Sequence, residues 1–470
     1  MKKSKGITRP KTTTETRQGD LFRDGVAASS PEQTGSLRQA MRAELQSRLR
    51  DQRALTTGIV DKIGSYANLA IAFKRVDQNG GAAGVDGVSV DDYRKGVHQR
   101  LERLSVALVK GSYRPQAVRA VEIAKPNGGV RQLGIPTVED RVVQQAIHQC
   151  LSPVYEPYFS DHSYGFRPGR SAHQAIERAA GYVQTGKVWV ADVDLKSFFD
   201  EIQHERLLSR LGKAIADKRL LRLIGQFLRA GVLLGGLVQQ RTKGTPQGGP
   251  LSPLLSNIVL DELDRELTLR GLSFVRYADD FNIFVGSERS ARRVLGSVTK
   301  FLETKMKLKV NAAKSGVRRC DQVTFLGFTV ERTGKVRISD ANVVKFKKRI
   351  KQLTKRNRGR NFKVVIDEVN RTIRGWGTYF RPCNTWLSDL RDLDGWVRNR
   401  LRVYRLRQCR RVYPTYLFLR QLGLGMTASW RLAKNGGWKW KADYPTVRNG
   451  MGLAWFRSLG LLSVQAIQSG

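Results

Sequence analysis

Apolar positions recur at helical intervals through the first hundred residues. Residues 37–53 read as a basic amphipathic helix, and a second helix is expected over 59–76, ahead of Asn79-Gly80-Gly81. After a turn at Gly84-Val85-Asp86-Gly87, another is expected from 91 to 108. The period shortens to two over 118–123 and 130–135, which flank Pro126-Asn127-Gly128-Gly129 as the strands of a hairpin, with Lys125 and Arg131 beside its tip. Val188-Trp189-Val190-Ala191-Asp192-Val193-Asp194 is a buried-type strand that runs into acid, and alternation puts Val188, Val190, Asp192 and Asp194 on one face. Helical texture follows from 204 to 234. Two short apolar runs, Phe274-Val275 and residues 281–285, then enclose Tyr277-Ala278-Asp279-Asp280, a hairpin that lifts two carboxylates to its tip. Beyond residue 339 the spacing of Leu387, Leu390, Leu393 and Val397 is that of a helical bundle core.

Charge changes the picture. The 470 residues hold 83 Lys and Arg against 41 Asp and Glu, a formal net charge of +42. Self-repulsion at that level opposes compaction and calls for a polyanionic partner, nucleic acid first. Residues 341–420 are the most basic, and aromatic residues are interleaved there: Trp376, Tyr379, Phe380, Trp386, Trp396 and Tyr404. Arginines on the bundle's outer face are the candidate nucleic-acid surface, whereas Trp376 and Trp396 are expected in its core. No apolar run is long enough to span a bilayer, and the basic start Met1-Lys2-Lys3 leads into polar sequence rather than a secretory signal. Cys150, Cys320, Cys383 and Cys409 have neither disulfide-framework nor zinc spacing. A cytoplasmic location, associated with nucleoid or ribonucleoprotein, is expected. All five histidines lie between His98 and His204, so the C-terminal half cannot supply a histidine-dependent metal nuclease.

Phosphoryl transfer to a growing strand needs two divalent ions about 3.5–4 Å apart, one activating the attacking hydroxyl and one steadying the leaving group. An acid at a strand end facing two acids at a neighbouring hairpin is the simplest scaffold. Asp194 and the Asp279-Asp280 pair fit that plan, with Asp192 competing for the role of Asp194. The 85 residues between Asp194 and Asp279 suit a split β-α-β-β unit, a three-stranded sheet with helices on one face. The loop Gly244-Thr245-Pro246-Gln247-Gly248-Gly249-Pro250 opens a helix, and its glycines let backbone approach a ligand closely.

An ordered set of motifs carries a resemblance. Lys125-Pro126-Asn127-Gly128 is followed by Arg131-Gln132-Leu133-Gly134-Ile135-Pro136, then Ser163-Tyr164-Gly165-Phe166-Arg167-Pro168-Gly169-Arg170-Ser171. Asp194-Leu195-Lys196-Ser197-Phe198-Phe199-Asp200, Gly244-Thr245-Pro246-Gln247-Gly248, Tyr277-Ala278-Asp279-Asp280, Lys314-Ser315 and Phe325-Leu326-Gly327-Phe328 complete the series. From about residue 84 to 420 the chain resembles the group II intron-encoded reverse transcriptases and maturases. The resemblance implies an α+β right-hand polymerase with fingers and palm, followed by an all-helical thumb or maturase domain. It divides the chain into a disordered basic segment (1–36), an N-terminal helical extension (37–110), fingers (111–187), palm (188–340), thumb/maturase domain (341–420) and a short nucleic-acid-contacting tail (421–470).

Residue by residue, the resemblance makes Asp194, Asp279 and Asp280 the catalytic acids and the ligands of two Mg²⁺ ions. Phe199, five residues after Asp194, becomes the residue under the sugar, where its bulk excludes a 2′-hydroxyl. Lys125 and Arg131 are implied to hold the triphosphate, Gln247 to line the nucleotide pocket, and Lys314 to stand near the phosphates. Arg356, Arg358, Arg360, Arg374 and Arg381 are the expected nucleic-acid contacts. The implied partners are group II intron RNA, an RNA template with DNA primer or target DNA, and deoxynucleoside triphosphates. The stretch after Arg420 has no histidine or cysteine, so the chain is expected to resemble the short bacterial class that lacks an endonuclease. Two other employments stand beside the active polymerase: a splicing cofactor whose polymerase has decayed, and a reverse transcriptase recruited to defence or diversification. The intact acids, Phe199 and Gln247 argue against decay.

Overall fold

A computed structural model describes residues 31–124, 130–234, 237–245, 248–355, 358–383 and 387–469. Lys125, Gln247 and Arg356 lie outside the described residues, as does the side chain of Arg131. The described strands are β1 (Val118–Ala124), β2 (Val130–Ile135), β3 (Trp189–Asp194), β4 (Val232–Leu234), β5 (Leu237–Gln239), β6 (Ser273–Tyr277), β7 (Asp280–Val285), β8 (Gly316–Arg319), β9 (Phe328–Val330) and β10 (Val336–Ile338). Helices dominate both flanks of the chain, so the middle mixes sheet and helix while the described elements from Asp340 to Ser469 are all helices.

Local chemistry cuts the expected N-terminal helices shorter. The stretch expected as one helix over 59–76 is two, Ile59–Ile63 and Tyr66–Asn79, because Gly64 stops the first and the Ser65 hydroxyl caps the second by accepting the Asn68 N–H. Gly96 likewise divides Val90–Arg94 from Val97–Val109. Helical texture over 204–234 resolves into His204–Ala214 and Lys218–Arg229, with Asp217 as the intervening cap, and its end is β4. β4 pairs in parallel with β1, in a sheet of order β2-β1-β4-β5. The first helix, Pro31–Leu55, is longer than its apolar pattern and is docked by a buried ion pair, Arg48 to Asp261 at 3.1 Å.

The sheet that carries the acids has four strands in the order β6-β7-β3-β8, all antiparallel, rather than three. The added β8, Gly-Val-Arg-Arg, has no apolar alternation to announce it and is held by its ladder to β3. Nor is the sheet covered on one face only. Ala191, Val193, Phe274, Phe281 and Ile283 join a core built with the N-terminal helices and the helix Ser252–Leu269. Val190, Val275 and Phe284 point the other way, into a second core shared with the helix Ala172–Gln184, β9, β10 and the C-terminal helices. Leu390, Leu393 and Val397 are buried in that second core, and Trp376 and Trp396 pack against it. The last helix, Val464–Ser469, packs on the helix Phe362–Tyr379, where Gly377 leaves room for Ile467.

Candidate functional site

Antiparallel pairing places the acids. β3 and β7 run in a register that sets Asp194 opposite Asp280 and Asp192 opposite Asn282. β6 and β7 close on Tyr277 and Asp280, leaving Ala278 and Asp279 as a two-residue turn. Ala278 has φ 58°, a left-handed conformation that an alanine adopts at a cost of about 1–2 kcal/mol. Alternation then makes one face of the sheet change from apolar to acidic along its length: Val190 and Phe284 first, then Asp192 and Asn282, then Asp194 and Asp280 at the edge.

The two acids of β3 have different partners. Asp192 receives the Arg318 guanidinium at 2.7 Å; burial raises its pKa and the arginine opposes the rise. Asp194 is more open. Its Oδ2 accepts from the Asn311 amide at 2.8 Å and lies 3.9 Å from the Lys314 ammonium. The segment that brings these groups is laced to the strand end: the Asn311 N–H donates to the Asp194 carbonyl, the Lys196 N–H to the Lys309 carbonyl, and the Asp194 N–H to the Ser315 hydroxyl. Asp280 keeps solvent contact, yet enclosure of its carboxyl and then the like charges of Asp192, Asp279 and Asp194 push its pKa up to about 7. Such mutual repulsion is what a divalent cation would relieve.

Among the described residues, no three carboxylate, imidazole or thiol side chains come together closely enough to hold a metal ion by themselves. An open acidic edge suits Mg²⁺ better than a cage does, because that ion keeps water and is commonly held by one or two carboxylates plus the phosphates of its substrate.

Beside the acids, Ser197 turns left-handed (φ 49°) directly after the strand and begins the short helix Phe198–Glu201. Phe198 is buried, and Phe199 stands half-buried with its ring edge-on to Phe198 at 5.3 Å. The glycine loop is tied to this turn. The Thr245 N–H donates to the Phe199 carbonyl at 2.8 Å, and the Gly244 N–H donates to Ile202 at 2.7 Å. A Cβ on Gly248 would stand 2.8 Å from the Gly134 carbonyl of β2, so the loop bridges the Phe199 turn and the first hairpin. The structure therefore gathers Asp194, Asp279, Asp280 and Lys314 at one edge, with Phe199 five residues along the chain from Asp194.

The expected basic contacts are less uniform. Arg358 is engaged in a two-pronged ion pair with Glu368 and also donates to the Leu353 carbonyl. Arg360, Arg374 and Arg381 are exposed. Periodicity alone gave no sign of Asn311, Arg318 or Asn257. Arg276 did leave one: a charge inside the apolar run of β6, which only a buried partner can tolerate. That partner is Asp264, at 2.6 Å.

Comparison with known proteins agrees with this layout. Residues 123–330 match the family described as "Reverse transcriptase (RNA-dependent DNA polymerase)", and residues 343–423 match "Group II intron, maturase-specific domain". The Escherichia coli protein YkfC is 34% identical over 283 residues, an alignment covering 52% of this chain and 74% of YkfC. The group II intron-encoded protein LtrA of Lactococcus lactis is 32% identical over 345 residues, covering 57% of each chain. A putative COX1/OXI3 intron 2 protein of Saccharomyces cerevisiae is 28% identical over 341 residues, covering 59% of this chain and 39% of its own length. The chain thus spans most of YkfC but little more than half of LtrA. No helix among the described residues is long and apolar enough to cross a membrane.

Proposed function

Because this chain belongs to the group II intron-encoded reverse transcriptases, RNA-directed DNA polymerases joined to a maturase-specific domain, we propose that it acts on a group II intron RNA in two ways. It binds that RNA and assists its splicing, and it copies it into DNA from a primer at the target site during intron mobility. The observation that carries the copying half is the register of β3 against β7, which sets Asp194 beside Asp280 with Asp279 on the adjoining turn.

In this reading 111–187 are fingers, 188–340 palm and 341–420 thumb. Residues 37–110 are a helical extension and 421–470 a tail that contacts nucleic acid. Asp194, Asp279 and Asp280 would hold two Mg²⁺ ions, which when bound would acidify the primer 3′-hydroxyl and offset charge on the leaving pyrophosphate. Asp192 is left out, since Arg318 already neutralises it. Lys314, 3.9 Å from Asp194, stands within reach of the substrate phosphates. Lys125, Arg131 and Gln247 receive the nucleotide from the side of the first hairpin and the glycine loop. Phe199 lies under the sugar and excludes a 2′-hydroxyl by its bulk.

Splicing assistance rests on a different surface. Exposed cations on and beside the helix Phe362–Tyr379, namely Arg374 within it and Arg360 and Arg381 flanking it, meet RNA phosphates, an attraction that weakens steeply with salt.

The test separates the two activities. The purified protein is incubated with its flanking transcript, and splicing and DNA synthesis are scored independently for the parent and for Asp279→Ala. The expected result is loss of DNA synthesis with splicing retained. Primer extension by Asp279→Ala at the parental rate would remove the assignment of the acids.

A further inference from the structure

Among the described residues Arg276 is the largest fully buried side chain, and both it and its partner Asp264 have no solvent exposure. Its guanidinium is held on three sides. Nε and Nη2 donate to the two oxygens of Asp264 at 2.7 and 2.6 Å, and Nη1 donates to Asn257 Oδ1 at 3.0 Å. Nη1 also donates to the carbonyl oxygen of Ala278 at 2.9 Å. Asn257 in turn donates its amide to the Gly165 carbonyl at 2.9 Å, and a Cβ on Gly165 would collide with the backbone of Tyr277 and Ala278. The backbone of Arg276 is fixed as well, giving its N–H to His162 and accepting from Tyr164, both at 2.9 Å.

Stability does not account for this arrangement. A buried ion pair is matched or exceeded by well-packed apolar residues of similar volume, so a hydrophobic residue would serve β6 at least as well. What an apolar residue cannot supply is a donor to the Ala278 carbonyl. That carbonyl shares one rigid peptide plane with the Asp279 N–H. A left-handed alanine persists only where its surroundings over-determine it. We infer that Arg276 is a positioning residue for Asp279: braced by Asp264 and Asn257 behind the sheet, it locks the Ala278–Asp279 peptide plane and so aims the Asp279 carboxylate at the metal edge. This rests on the proposed reading of Asp279 as a ligand.

The test removes both charges together, in the double variant Arg276→Met with Asp264→Leu, and compares it with Arg276→Lys. Four quantities are read: thermal midpoint, amide hydrogen exchange of the 277–281 turn, Mn²⁺ affinity without substrate, and single-turnover primer extension. The double variant is expected to keep the parental midpoint and template-primer affinity. Its turn amides exchange about 10-fold faster or more, Mn²⁺ binds about 10-fold more weakly, and extension slows about 100-fold, the scale associated with a displacement near 1 Å. Arg276→Lys, which keeps the charge against Asp264, is expected to show the same turn exchange and slowed extension, and carries the test if the double variant does not fold. A folded variant with parental turn exchange and extension overturns the inference. Asp279→Ala, measured alongside, separates the two readings. If it extends normally the ligand assignment falls, whereas if it is inactive while the Arg276 variants match the parent, only the brace falls.

Discussion

Gly165→Ala tests how closely the Ser163-Tyr164-Gly165-Phe166 segment supports the acidic turn. Ser163 bridges in parallel to Arg276, and the Tyr164 N–H bonds its carbonyl, so the segment runs against the edge of β6 and cannot move away cheaply. A Cβ at Gly165 would stand 2.9 Å from the Tyr277 carbonyl carbon and 3.1 Å from Ala278 Cα, and nearer still to the Ala278 nitrogen. Ordinary contact begins near 3.4 Å, and these neighbours are backbone rather than a side chain that could swing aside. The turn must therefore retreat by more than the roughly 0.5 Å that the Tyr277 carbon alone requires, because the Ala278 nitrogen stands closer still, and it carries Asp279 with it. Overpacking of this kind costs about 1–3 kcal/mol of stability. Since misplacement by 1 Å can lower a rate about 100-fold, the expected loss in primer extension is about 10- to 100-fold. Single-turnover extension under saturating Mg²⁺ measures it, with calorimetry and template-primer binding confirming a folded protein. Gly165→Ala at the parental rate would show that the turn is not held from this side, and the packing argument would fail.

Three further outcomes follow from the same geometry. Phe199→Ala or Phe199→Val is expected to admit ribonucleotides at least 10-fold more readily with template-primer binding unchanged; equal discrimination in parent and variant would move the gate elsewhere. Charge reversal at Arg360, Arg374 and Arg381 is expected to weaken intron RNA binding and flatten its salt dependence, while reversal at Arg358 lowers the thermal midpoint because it sets like charges against Glu368; filter binding at several salt concentrations, with melting curves, distinguishes them. Asp140, fully buried among Tyr113, Thr137 and the Gln116 N–H, has its pKa raised from 3.8 to about 6, chiefly by burial. The unfolded chain then ionises first, so this group makes the fold less stable as pH climbs from about 4 to 6, with no further change above. Calorimetry over that range is expected to show this component in the parent and to lose it in Asp140→Asn, and identical slopes would refute it.

The two hairpins, and the meeting of the Asp194 strand with the Asp279-Asp280 turn, were legible because their signals are local: a strand that runs into carboxylates, and a polar tip between short apolar runs. β8 was not, since Gly316-Val317-Arg318-Arg319 carries no pattern and owes its strand state to β3. The second covered face of the sheet was hidden for a related reason. Val190, Val275 and Phe284 are single residues on short strands, and only tertiary structure reveals that they meet the C-terminal helices. Helix breaks at Gly64 and Gly96 were missed although the residues were in view, because apolar spacing continued across them. Arg358 illustrates the limit of reading a charge run: its engagement with Glu368, ten residues on, depends on how the chain turns between two helices.

The shared wall of the two cores has an evolutionary meaning. A descendant that gave up copying but kept its intron would face no selection on Asp194, Asp279 or Asp280, and those carboxylates would drift. Val190, Val275 and Phe284 would not be released with them, because the C-terminal helices are seated on those side chains. The sheet would survive as masonry after its chemistry was gone, and a silent polymerase of this lineage should betray itself by vanished acids on otherwise unchanged strands.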